Sequence, residues 1–267
     1  MIRTIGRRQL LKTGTAAGLV TLAAPGLLRA QSDPVVLGHL TPRTGFLGPM
    51  GEYAVMAVDL AVEEINAKGG INGRPLTVVK EDSVNPQTAT TKAERMVERG
   101  DLAMIIGEIS SASALSIAQV TARANKLFIN TGANSDTLRG SDCKRTMFHT
   151  EAQNVMYVNA EGQYFLQNDM VKDKKWFILS SDYAFGHDLR HGALGFLERN
   201  GGQAVGDELI PTDATDFSSH LLNIRNVQPD LIVVNLAGTS GASFMKQYGE
   251  FGLDIPLGGF DYNSSIA

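Results

Sequence analysis

Two apolar strands end in turns rich in small and hydroxyl-bearing residues, the types that can hold a small anion. One strand and its turn run from Met104 to Ser113, and the other pair runs from Leu127 to Ser135. Where a helix or turn begins, hydroxyls and orphan backbone N–H groups combine with the positive end of a helix dipole. Two such turns at the carboxyl ends of parallel strands predict a ligand crevice. The pattern indicates binding of a small molecule more than catalysis.

Aromatic residues follow other predicted strands. Phe46 follows the first strand, Tyr183 and Phe185 follow a strand in the second half, and Asp261 and Tyr262 follow the last one. Ligand pockets combine apolar walls with a few fixed polar groups, so this shared edge favours a pocket. Asp261 either faces a ligand ammonium or is solvated.

Two motifs keep catalysis and metal binding open as alternatives. Gly238–Gly241 follows a strand, but its second glycine comes one position too early for a nucleophile elbow, so Ser240 is interpreted as an N-cap or a cleft-lining group. His187 and His191 share a helical face, but Asp188 stands where a zincin needs glutamate, and no third ligand is evident. The sequence contains no phosphate-binding loop and no dinucleotide fingerprint. We therefore expect no catalytic residue, no metal and no cofactor.

Alternating strand-like and helix-like periods must position these groups. In the first half the strands are 35–40, 76–80, 102–106 and 127–130, and the helices are 52–68, 86–99 and 112–124. After a helix at 152–168, the strands are 175–179, 204–210, 231–234 and 257–260, and the helices are 186–200, 217–227 and 241–251. This order predicts an α/β fold of parallel sheets flanked by helices. We predict an N-terminal lobe over residues 31–150 and a second lobe over 151–256.

The first thirty residues are predicted to be a twin-arginine signal peptide. Arg7 and Arg8 precede an uncharged stretch, and Ala30 offers a cleavage point. The stretch contains glycines and a proline, and it is too short to span a bilayer comfortably. We expect a periplasmic mature chain that begins near Gln31.

Net charge and cysteine content limit the partners. A formal net charge of -4 gives no reason to expect nucleic acid or an anionic membrane as a partner. Cys143 is the single cysteine. It is either a buried small apolar residue or the partner of a cysteine outside this sequence.

Several stretches resemble the type I periplasmic binding proteins of the branched-chain amino acid class, the ligand receptors of ABC importers. They are 44–51, 61–76, 106–113, 134–138 and 181–186. The run E-x-I-N-x-x-G-G-I-x-G-x-x-L, which ends at Leu76, is the most specific, and the resemblance extends from Val35 to Gly259. It implies two Rossmann-like lobes joined by a multi-stranded hinge. It also implies that residues 257–267 return towards the N-terminal lobe and that the usual C-terminal portion is missing.

The resemblance also implies a ligand site. Ser111 corresponds to the serine that hydrogen-bonds the ligand carboxylate, and the next turn adds Gly132, Ala133 and Asn134. The resemblance further implies that one aromatic of the second lobe, Tyr183 or Phe185, closes over the ligand. It also implies that Asp261 meets an ammonium group.

Three departures from the family pattern affect the ligand. Members that bind aliphatic amino acids tend to have threonine where Asn134 stands and tyrosine where Phe185 stands. Residues 237–239 replace a further tyrosine. An amino acid, a small amide or urea, and an aromatic carboxylate all stay open as ligands.

We therefore expect a monomeric periplasmic binding protein that captures a small carboxylate or amide by lobe closure. It would present the ligand to the membrane permease of an ABC importer, with no bond made or broken. The alternatives are an α/β hydrolase-type or metal-dependent enzyme and a ligand-sensing regulator of the same fold. The leader argues against the regulator, which normally works in the cytoplasm.

Overall fold

Residues 33–260 are described by a computed structural model, and their first part forms one group of alternating strands and helices. The strands are β1 (Val35–Thr41), β2 (Leu76–Asp82), β3 (Leu102–Gly107), β4 (Leu127–Asn130) and β5 (Met147–His149). The helices are α1 (Gly48–Ala67), α2 (Pro86–Val97) and α3 (Ser111–Arg123). We call this group the first lobe.

The elements that follow form a second group, which we call the second lobe. Its strands are β6 (Lys175–Ser181), β7 (Gln203–Ile210), β8 (Leu231–Asn235) and β9 (Leu257–Gly258). Its helices are α4 (Asn154–Gln167), α5 (Ala184–Arg199), α6 (Ser218–Val227) and α7 (Gly238–Phe251). The predicted signal peptide, 1–30, lies outside the described residues. No helix within 33–260 combines the length and the apolar character needed to cross a bilayer.

Each lobe contains one sheet whose neighbouring strands are all parallel. The strand order is β2-β1-β3-β4-β5 in the first lobe and β7-β6-β8-β9 in the second. A helix links each strand to the next strand of its sheet except between β4 and β5, as the alternating sequence pattern predicts. The predicted α/β class is confirmed.

The registers bring the predicted turns to one edge of each sheet. Gly107, at the end of β3, pairs with Leu40 of β1 and with Asn130 of β4. In the second sheet, Ser180 of β6 pairs with Asn235 of β8. The turns that follow these strands therefore emerge side by side.

Alternation along β6 explains why the second sheet is covered on both faces. Trp176 and Ile178 pack in a core with α4 and α5, whereas Phe177 and Leu179 pack in another core with α6 and α7. Successive side chains of a strand point to opposite faces, so a nearly continuous apolar run is what a sheet buried on both faces requires.

The last described residues belong to the second lobe. Leu257 and Gly258 pair in parallel with β8, and the return of residues 257–267 towards the N-terminal lobe stays a prediction. Phe260 is buried in the core of the second lobe. The backbone groups of β8 give β9 its hydrogen-bond partners, which keeps this stretch in the second sheet. Residues 261–267 lie outside the described part.

Helix α1 is mostly exposed, and so is Cys143. Helix α1 begins at Gly48 because Pro49 occupies its first turn, a position that proline favours. Its buried residues are Gly48, Gly51 and Val55. Cys143 is exposed, so the interpretation of this cysteine as a buried apolar residue is wrong.

Asn66 explains why the most specific sequence run has an asparagine where α1 ends. Its side-chain Nδ2 donates to the Leu76 carbonyl at 2.9 Å, and its Oδ1 accepts from the Leu76 N–H at 2.7 Å. One amide therefore joins the last turn of α1 to the start of β2.

We expect Asn66→Ala to lower the free energy of unfolding by about 1–2 kcal/mol, because both hydrogen bonds to Leu76 are lost. Urea denaturation monitored by circular dichroism measures the change. Asn168→Ala is the matched control, since the Asn168 amide donates to Tyr164 within its own helix end. Equal stability of the two variants would contradict this role for Asn66.

Candidate functional site

A cavity of about 40 Å³ lies between the two lobes, beside the carboxyl ends of both sheets. That volume admits about three water molecules, so a ring-sized ligand requires the two walls to move apart. The lining residues are Leu47, Met50, Ile109, Gly132 and Asn134 from the first lobe and Tyr183, Phe185, Leu236, Ala237 and Gly238 from the second.

The predicted site residues take different positions around this cavity. Gly132, Asn134, Tyr183 and Phe185 are brought together in its lining. The Phe46 ring packs edge-on against the Tyr183 ring, with 5.5 Å between centroids. Two others, Ser111 and Ala133, are buried and are not among the lining residues, and Asp261 lies outside the described residues.

Ser111 is the first residue of α3 and is fully buried. Its Oγ accepts a hydrogen bond from the Ser135 N–H at 3.2 Å, and no acceptor within residues 33–260 receives its hydroxyl hydrogen. A hydroxyl whose acceptor side is occupied and whose hydrogen is available is suited to donate to a carboxylate.

The turn after β4 is organised by Asn130 rather than left with free N–H groups. The Asn130 Oδ1 accepts from the N–H groups of Gly132, at 3.4 Å, and Ala133, at 3.0 Å. Its Nδ2 donates to the Ala133 carbonyl at 2.6 Å. The expectation that this turn offers free N–H groups to a ligand is therefore wrong at both residues, because a buried amide already uses them.

Asn134 uses its amide nitrogen internally. Its Nδ2 donates to the Ala152 carbonyl at 2.9 Å and to the Tyr157 hydroxyl at 3.4 Å. This orientation directs the nitrogen to the connection between the lobes. The amide oxygen is the side-chain atom that stays available to a donor on a ligand.

Glu108 is a buried acid that the sequence reading did not single out. It follows Gly107, and both residues have positive φ angles, 78° at Glu108 and 117° at Gly107. The Glu108 Oε1 accepts from the N–H groups of Ile109 and Ser110, at 3.0 and 2.8 Å, and its Oε2 accepts from the Ser83 hydroxyl. The carboxyl therefore satisfies the turn that precedes α3 and joins it to the loop after β2.

The electrostatics of Glu108 follow from this burial. Desolvation raises the pKa of the Glu108 carboxyl to about 8, although the hydrogen bonds from Ser83, Ser110 and Ile109 act in the opposite direction. Near neutral pH the side chain is therefore largely protonated.

Gly238 brings the second lobe against the first. Its φ is +60°, and a Cβ placed there would lie 2.1 Å from the Phe46 carbonyl oxygen. The neighbouring Thr239 N–H donates to the same oxygen at 2.9 Å. No larger side chain fits this approach without movement of the backbone, which accounts for glycine near the place of the family tyrosine.

Several lining residues were not identified as site residues from the sequence. Leu47, Met50 and Ile109 lie within stretches that carry the family resemblance, so those motifs contain the signal that could have revealed them. Leu236 follows β8 directly, but an apolar residue after a strand is also what a core residue looks like.

The catalytic and metal alternatives find no support in this geometry. The Ser240 Oγ is buried, and no residue within 33–260 forms a hydrogen bond with it, so no described side chain acts on it as a base. His187 Nε2 lies 2.8 Å from Asp182 Oδ1. Residues 33–260 contain no group of three or more histidine, cysteine, aspartate or glutamate side chains placed to hold a metal ion.

Comparison with known proteins gives a family match over most of the chain. A family model described as periplasmic binding protein matches residues 34–267. A curated relative from Brucella melitensis biotype 1, named Leu/Ile/Val-binding protein homolog 7, is 27% identical over 252 residues. The alignment covers 89% of this chain but 60% of that relative, so the chain spans less than two thirds of the relative's length.

Two solved structures are similar over a comparable span. A periplasmic binding protein from Burkholderia mallei is 31% identical with a TM-score of 0.76, covering 85% of this chain and 60% of its own. A solute-binding protein of an ABC transporter from R. palustris, solved in complex with benzoate, is 25% identical with a TM-score of 0.78. That match covers 85% of this chain and 62% of the other.

Glu108→Gln is expected to gain stability relative to the wild type as the pH rises from 4.5 to about 8. Below this range the carboxyl is protonated in both the folded and unfolded chains. Within the range the unfolded chain releases the proton while the folded chain keeps it, so wild-type unfolding becomes more favourable with pH. Glutamine lacks this dependence.

Urea denaturation across that pH range checks the prediction. Glu250→Gln, on the exposed surface of α7, is the matched control for loss of one carboxyl. A constant stability difference between Glu108→Gln and the wild type at all pH values would refute the prediction.

Proposed function

The chain belongs to the periplasmic binding protein family, and we propose that it captures a small carboxylate between its two lobes for delivery to the membrane permease of an ABC importer. The observation that carries this proposal is the cavity at the carboxyl edges of both sheets, which receives side chains from both lobes. A ligand that contacts both walls favours the closed arrangement, because only differential binding can shift the population of conformations.

An aromatic carboxylate is the ligand class that the lining favours. Within the described residues the lining contains no aspartate or glutamate to receive an ammonium group, and Asn134 is its only side-chain amide. The Tyr183 and Phe185 rings lie 5.7 Å apart on the second-lobe side, where they can pack against a ligand ring. The similar R. palustris protein was solved with benzoate, which supports the same class here.

Ser111 is our candidate for the group that meets the carboxylate. Its hydroxyl hydrogen is available at the start of α3, where the helix dipole also favours negative charge. Because Ser111 is fully buried, ligand entry must displace part of the wall formed by the turns after β3 and β4.

An aliphatic amino acid is the second candidate, since the Brucella relative is named as a Leu/Ile/Val-binding protein. Its ammonium group would need an acidic partner, for which we propose Asp261. The two candidates therefore differ in whether the ligand carries a positive charge.

The location and partners follow from the same proposal. We propose that the protein works in the periplasm as a monomer, after export by the twin-arginine route through residues 1–30. It would bind its ligand without catalysing a reaction, as a solute-binding protein does.

We expect benzoate to raise the stability of the full chain, by about 2.7 kcal/mol at about 100 times its dissociation constant. Thermal unfolding with benzoate, 4-hydroxybenzoate, leucine, a small amide and urea compares the ligand classes. If leucine is the single compound that stabilises the protein, the proposed ligand class changes from an aromatic carboxylate to an aliphatic amino acid. Absence of stabilisation by every compound would contradict the binding proposal.

Ser111→Ala is expected to weaken binding of a stabilising carboxylate by about 1–3 kcal/mol, because the ligand carboxylate loses the buried Ser111 hydroxyl as a hydrogen-bond donor. Isothermal titration calorimetry measures the affinity. Ser116→Ala is the matched control on the same helix, since the Ser116 hydroxyl donates to the Ala112 carbonyl. If both variants bind with wild-type affinity, Ser111 is not part of the site.

A further inference from the structure

Asp188 joins the two lobes through hydrogen bonds that the sequence reading did not anticipate. It lies near the start of α5 in the second lobe, between His187 and Leu189. Its Oδ2 accepts from the Ser135 hydroxyl at 2.5 Å and from the Asp136 N–H at 2.8 Å, both in the first lobe. An acceptor on one lobe thus meets two donors on the other.

Ser135 connects this contact to the proposed carboxylate-binding serine. Its hydroxyl donates to Asp188, and its backbone N–H donates to the Ser111 Oγ at 3.2 Å. Ser135 is 1% exposed, so neither group is freely hydrated in this arrangement. Ser111, Ser135 and Asp188 form a continuous hydrogen-bond relay from α3 to α5.

The Asp136 carboxyl has a different partner from the Asp188 carboxylate. Its Oδ1 accepts from the Val155 N–H at the start of α4, at 3.0 Å. Desolvation raises the pKa of the Asp136 carboxyl, and the nearby Asp188 carboxylate adds to this effect. Asp136 therefore contributes its backbone N–H to the relay, while its carboxyl is engaged by Val155.

We propose that Ser135 and Asp188 are positioning residues that couple lobe closure to the hydrogen bonding of Ser111. This inference rests on the proposed function, since it assumes that the Ser111 hydroxyl donates to the ligand carboxylate. When the lobes meet, Asp188 holds Ser135, and the Ser135 N–H occupies an acceptor position on Ser111. The Ser111 hydroxyl is then left to donate to the ligand, so closure and carboxylate binding favour each other.

The relay differs from the contact between Thr239 and Phe46, which also joins the lobes. Thr239 and Phe46 meet through backbone atoms, so a side-chain substitution leaves those two groups in place. Ser135 and Asp188 meet through side chains and can be removed one at a time. Hydrogen bonds to a charged acceptor are stronger than neutral ones, so loss of either the Ser135 hydroxyl or the Asp188 carboxylate is expected to be measurable.

Fluorescence energy transfer between the lobes tests the coupling in the full chain. A Cys143→Ser background removes the native thiol, and Lys68→Cys, directly after α1, and Lys246→Cys on α7 carry the two dyes on exposed positions. Ser135→Ala, Asp188→Ala and the double variant are compared with this background. Asp182→Asn is the matched control, because Asp182 Oδ1 pairs with His187 within the second lobe.

Without added ligand, we expect each single variant to lower the closed-to-open ratio by about tenfold. The closed-to-open ratio of the double variant should be no lower than that of Asp188→Ala, because Ser135 acts through the same acceptor. The ratio of Asp182→Asn should equal that of the background. If both single variants show the same energy-transfer efficiency as the Cys143→Ser background protein, the proposal is overturned. Additive losses in the double variant would also overturn it, since they indicate independent effects.

Thermal unfolding with benzoate and leucine separates this inference from the proposed function. A loss of closure in the variants, with no stabilisation of the wild type by either compound, supports the relay and contradicts the binding proposal. Stabilisation of the wild type by benzoate, with unchanged transfer in the variants, supports binding and overturns the relay.

Discussion

Buried backbone N–H groups must find hydrogen-bond partners, and this requirement governs the first-lobe wall of the cleft. The turns after β3 and β4 contain several such groups close to each other. Glu108 supplies acceptors to one turn and Asn130 supplies them to the other. With these donors occupied, the shape of the wall is set from within the protein, and side-chain hydroxyls and amides are left to recognise a ligand.

Much of the fold could be predicted because its local signals agree with its tertiary structure. Strand β4 begins and ends where its apolar run does, and α2 begins at Pro86 with the Asn85 side chain accepting from the Thr88 N–H. The two-lobed type I fold implied by the family resemblance is likewise confirmed. Strand β5 was missed because three residues carry too little periodicity to be recognised, and its pairing depends on β4.

The candidate site could be predicted where a residue's type is unusual for its position. Gly132, Asn134, Tyr183 and Phe185 follow strand ends and do line the cavity. Ile109 and Leu236 escaped notice because an apolar side chain next to a strand has the same pattern in a core and in a pocket. The contacts of Gly238 and Asp188 with the other lobe depend on how two distant chain segments meet, which no local pattern encodes.

The approach of Gly238 to the Phe46 carbonyl restricts how this scaffold can diversify. At that point the second-lobe wall is backbone, and any side chain would collide with the opposite lobe before it reached a ligand. Evolution of ligand preference must therefore proceed through neighbours whose side chains can change size, such as Tyr183, Phe185 and Leu236. The close backbone approach therefore fixes this position as glycine, whereas its neighbours can change size without closing that approach.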